Sequence, residues 1–111
     1  MQNDRFQDLM QNQFDRCKSI LEVKAEEYAT EDRLHNFHVA AGLHQLQTRM
    51  ALAGMMAKHT VSIYDMCWSD DLQPFELWEE KIDDHINYLI LLKAIIIEEL
   101  ETEFWEGAKN A

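Results

Sequence analysis

The run PFELWEEKIDDHINYLILLKAIIIEELETEFW, Pro74 to Trp105, contains no glycine, and the chain's only proline is its first residue. Proline is tolerated at the head of a helix, where its missing N–H would have had no intrahelical partner anyway. Glu76, Glu79 and Glu80 fill the first turns, where the helix dipole favours negative charge, and Asp70 and Asp71 precede them as turn and capping residues. No helix breaker follows until Gly107. The run therefore predicts one continuous helix of about 45 Å, at roughly 1.5 Å per residue.

Stepping about 100° per residue sorts this helix into faces. Trp78, Ile82, His85, Leu89, Leu92, Ile96 and Leu100 form one stripe, the expected core seam. Glu76, Glu80, Asp83, Asp84 and Asn87 lie on nearly the opposite face, which further on carries Leu91, Ala94 and Ile95. A helix apolar on both sides needs two covers. The second would come from the same bundle or from another subunit, with the acidic stripe near the mouth of that contact.

Outward from this run, 111 residues allow one domain, 1–111, able to bury about 65% of its unfolded surface. Three glycines and one proline leave little for β-turns, so the chain reads as all-α. Helical periodicity is expected from about 2 to 28 through Phe6, Leu9, Met10, Phe14, Cys17, Ile20, Leu21 and Tyr28. A second helix is expected over 31–46, capped by Thr30 or Asp32, with Leu34, Phe37, His38, Ala41 and Gly42 inward. A third is expected near 48–68, whose ALAGMMA run offers small residues for a close helix crossing. Short connections favour an antiparallel bundle of about four helices, and the surplus apolar surface of the last one favours a homodimer.

Charge narrows the partners. Of the formal −11, residues 69–111 carry twelve acids and three bases, which excludes the basic footprint of direct nucleic-acid binding. The same excess permits metal ions or a basic protein partner. Cys17 and Cys67 read as free thiols of a reducing, cytoplasmic setting. YLILLKAIII (88–97) is too short, and broken by Lys93, to span a membrane, and the N-terminus lacks the apolar core of a signal peptide.

Carboxylates three or four residues apart share one spot on a helix. Glu80 with Asp83, and Glu80 with Asp84, have that spacing; on the first helix so do Glu22 with Glu26 and Glu27 with Glu31. Two such pairs on adjacent helices would offer an oxygen-rich site for Mg²⁺ (or Mn²⁺), which shares its coordination with phosphates. A solvated acidic face would have the same spacing. No Glu-x-x-His pair, Cys-x-x-Cys pair, Gly-rich phosphate loop or Gly-x-Ser-x-Gly elbow is present. Lys58, Ser62 and Asp65 share a face that could meet a phosphate or the acidic stripe, and His85 reads as a core or interface histidine.

The ordered segments KAEEYA (24–29), LHNF (34–37), KHTVSIYDM (58–66) and EKIDDHINYLILL (80–92) resemble a group of small phage-type helical proteins. Those are similar to MazG-like all-α nucleoside-triphosphate pyrophosphohydrolases and to nucleotide-modification-associated domains. The likeness spans about residues 14–100. It implies helical acids that hold Mg²⁺ against a nucleotide's phosphates while water releases pyrophosphate. On this chain it implies Glu80 and Asp84 as the catalytic acids, and Glu26, Glu27, Glu80, Asp83 and Asp84 as metal ligands. Lys24, Tyr28, Asn36, Lys58, His59 and Asn87 are the implied substrate contacts. The family's Glu-Glu-x-x-Glu does not occur in that form, since Tyr28, Ala29 and Thr30 follow Glu26-Glu27. An alternative expectation is a non-catalytic acidic phage-type protein that blocks a basic nucleic-acid-binding surface of a host or defence protein.

Overall fold

The computed structural model describes the backbone of residues 1–27 and 31–110, and the side chains of 1–26 and 31–102. Four helices account for the secondary structure of the described residues: α1 (Asn3–Glu27), α2 (His35–Leu43), α3 (Thr48–Trp68) and α4 (Phe75–Asn110). The Pro74 carbonyl accepts from the N–H groups of Leu77 and Trp78, so proline starts α4 from just outside it. Helix α2 is shorter than expected. Its expected cap Thr30 lies outside the described residues, and the other, Asp32, forms the turn ahead of the helix instead of capping it. Leu34 is the N-cap without a side-chain cap bond, while the Asp32 carboxylate accepts the Leu34 N–H at 2.9 Å and its carbonyl the His35 N–H at 3.2 Å. Gln45, at φ 56°, turns the chain from α2 into α3.

Helix α4 lies beside α3 and α1, and α2 lies beside α3. Arg49 meets Glu99 at 2.8 Å, and Thr60 approaches His85 at 3.5 Å, which fixes the register of α3 on α4. The core is a cluster of Leu34, Leu52 and Ile95, with Phe37, Met56, Tyr88, Leu91 and Leu92 packed against it.

This corrects the expected seam of α4. Ile82, Leu89 and Leu100 are exposed, while Asp83, Asn87 and Ile95 from the supposedly second face are buried. Helix α1 covers that face at Asp83, whose carboxylate finds polar partners on α1, and leaves Glu76 and Glu80 exposed. Among its described side chains, helix α1 buries only Cys17; Phe6, Leu9, Met10 and Phe14 stay exposed. Nor does the ALAGMMA run make a close crossing at Gly54, since a Cβ there would meet nothing within 4 Å; Gly42, expected inward, is exposed. No helix among the described residues is long and apolar enough to cross a membrane, and Cys17 and Cys67 are both free thiols.

Candidate functional site

Asp83, only 1% exposed, is clasped from α1. Arg16 donates to Asp83 Oδ2 from Nη2 at 2.6 Å and from Nε at 3.1 Å, while Gln13 Nε2 donates to Oδ1 at 2.7 Å. The same guanidinium reaches Glu79 Oε1 at 3.1 Å. Hydrogen bonds to Asp83 raise the Arg16 pKa, against some desolvation, so the cation is held there. A buried carboxylate with these donors is satisfied as an ion pair.

One turn further, α4 opens onto a cleft of about 70 Å³. Asp84, Asn87, Tyr88 and Leu91 line it from α4, at steps that place them on one face. Leu21 and Lys24 close it from the last turns of α1, and Arg33 and Phe37 from the entry to α2. Asn87 is 5% exposed, and neither its amide nitrogen nor its oxygen has a partner. Leaving such a group unpaired costs about 1–3 kcal/mol, and buried amides are ordinarily satisfied by protein, water or ligand. Around it stand Lys24, Arg33 and Asp84, with the Tyr88 and Phe37 rings beside them.

Of the expected site residues, this cleft gathers Lys24, Asp84 and Asn87. Glu80, Glu26, Asn36 and Lys58 are exposed and do not line it. His59 is half-buried and stacks on Tyr88, with ring centroids 4.9 Å apart. Burial pushes its imidazole below the ordinary histidine value, against an opposite pull from Asp84. The Glu27 side chain and Tyr28 lie outside the described residues. No three of Glu26, Glu80, Asp83 and Asp84 bring ligand atoms within 4.8 Å of one another. Among the described residues that geometry belongs instead to Asp32, His38 and Glu98.

Sequence reasoning missed Gln13, Arg16, Arg33 and the Asp32–His38–Glu98 group. A usable signal existed for the first two: they share a face with Cys17, so a polar pair interrupts the one stripe of α1 that buries a side chain. Compared with known protein families, curated proteins and solved structures, the chain matches none. The MazG-like resemblance therefore rests on its motif letters.

Proposed function

We propose that this chain binds a nucleotide phosphate in the cleft between α1, α4 and the entry to α2. The observation that carries this reading is the buried Asn87 carboxamide, both of whose polar atoms lack partners at a mouth lined by Lys24 and Arg33. A cleft of about 70 Å³ suits one polar group, a phosphate or a base edge, with the rest of the ligand lying over the two cations. Mg²⁺ or Mn²⁺ would travel on the phosphates, since magnesium is commonly held by one or two carboxylates plus substrate oxygens. Asp84 is the expected ligand that lines this cleft. The exposed Glu80 has less support as a first ligand, and pyrophosphate release stays part of the proposal as the reaction to assay.

Calorimetry with a panel of nucleoside triphosphates, with and without Mg²⁺, tests this directly, alongside a pyrophosphate-release assay. Binding that Asn87→Leu and Asp84→Asn each weaken by about tenfold or more would support it, that factor being the loss of one good hydrogen bond or charge contact. If no nucleotide binds at millimolar concentration with either metal, the reading fails.

A homodimer with antiparallel packing of its helices belongs to the same proposal. Its support is the exposed apolar side of α1, together with a groove lined by Phe14, Leu21, Ile86 and Ile90 between α1 and α4. The competing role, an acidic blocker of a basic nucleic-acid-binding surface, draws less support. Asp83 is buried and Glu79 is paired with Arg16, so the acidic row is not a continuous exposed strip.

A further inference from the structure

We propose that Asp32, His38 and Glu98 form a binding site for a divalent transition cation of the zinc class, separate from the nucleotide cleft. Each offers a ligand atom, and these atoms lie within 4.8 Å of one another. His38 Nε2 stands 3.2 Å from Glu98 Oε2. Two ligands bonded to a tetrahedral zinc at about 2.0–2.1 Å lie roughly 3.3 Å apart, so this pair already has the edge length required. Asp32 is exposed, just ahead of α2, and offers the third ligand atom. A carboxylate has lone pairs enough to keep the bond from the Leu34 N–H and still coordinate.

A further feature is orientation: His38 Nδ1 lies 2.9 Å from Thr48 Oγ1. With the ion bound, Nδ1–H would donate to that hydroxyl and leave Nε2 to coordinate, the usual arrangement behind a metal-bound histidine. Beside them, Glu99 Oε2 pairs with Arg49 at 2.8 Å. An open groove of about 250 Å³, lined by His38, Gln47, Arg49, Glu98, Glu99 and Thr102, leaves room for water to complete the coordination. One nitrogen and two oxygens suit zinc or cobalt; magnesium prefers an all-oxygen shell. The ion would link the segment entering α2 to the far half of α4.

The test uses the full chain, freed of metal with a chelator and titrated with Zn²⁺, Co²⁺ and Mg²⁺ separately. The expected result is one Zn²⁺ per chain, a rise in melting temperature with Zn²⁺, and visible Co²⁺ absorption typical of low coordination number. His38→Ala should weaken Zn²⁺ binding by about 100-fold, and Thr48→Val by roughly 10-fold as an outer partner. Glu98→Gln and Asp32→Asn change exposed groups, so they decide the matter if His38→Ala fails to fold. Asn87→Leu and Asp84→Asn should leave Zn²⁺ binding unchanged, so the cleft can fail without this site failing. Absence of Zn²⁺ binding at 100-micromolar protein (about 10⁻⁴ M,), or binding untouched by Glu98→Gln and Asp32→Asn, overturns the proposal.

Discussion

At position 83 a carboxylate sits inside a helix interface, and its two sides are not equivalent to mutation. Removing Arg16 leaves a buried anion with Gln13 alone, whereas removing the charge of Asp83 leaves a part-exposed guanidinium that water can reach. Arg16→Met should therefore destabilise the chain more than Asp83→Asn, for which the loss of a charge-assisted bond is worth about 1–2 kcal/mol. Urea denaturation of both variants checks the order. His59 gives a pH signature. Its pKa is lower folded than unfolded, so the unfolded chain takes up the proton first on acidification. Its contribution to stability is whole above the unfolded value of about 6.5 and is lost as pH falls through that value towards the folded one. Melting temperature should fall between pH 7.5 and 5.5, and His59→Phe should shrink that slope (the window follows from the ordinary value of about 6.5,). The motif letters of the resemblance marked Lys24, Asp84 and Asn87. They could not tell Asp83 from Asp84, since one residue's rotation separates a clasped anion from a cleft-lining one.

At the scale of elements, α3 was legible to its ends and α4 at its start, where proline punctuates the sequence; α4 runs on past the expected Trp105, through Gly107 to Asn110. Helix α2 was legible in existence but not in extent, its first turn giving way to the Asp32 turn. The face of α4 was misread for a physical reason. Periodicity assigns burial to apolar letters, and α4 buries Asp83 and Asn87 because α1 supplies donors to the first and the cleft encloses the second. Gly54 offers a clean test at this scale. It is an exposed mid-helix position with no neighbour for a new Cβ, so Gly54→Ala should stabilise α3 by about 0.5–1 kcal/mol in thermal or chemical denaturation. A loss of stability instead would reveal a partner seated on that face.

Across the whole molecule the proportions are those of a protein short of cover. The radius of gyration is 17.4 Å, against about 13 Å for a compact chain of this length. Among the described residues only six apolar side chains are buried, two of them alanines. A second copy is the partner always present at matching concentration, and groove and exposed α1 face lie on the same helix. Sedimentation should show a dimer at micromolar concentration, and a charge at Phe14, which is 60% exposed and so tolerates change in the single chain, should shift it to monomer. Phe14→Glu should raise the dissociation constant by about 100-fold, the loss of one buried aromatic contact.

Because, among the described residues, α1 packs against α4 alone and is fastened there by the Arg16–Asp83 clasp, it need not melt with the rest. Its amides should surrender their protons to deuterium sooner than those of α3 and the middle of α4. The chain would then behave as a rigid three-helix frame carrying a detachable arm, and whatever occupies the cleft would hold that arm shut through Lys24.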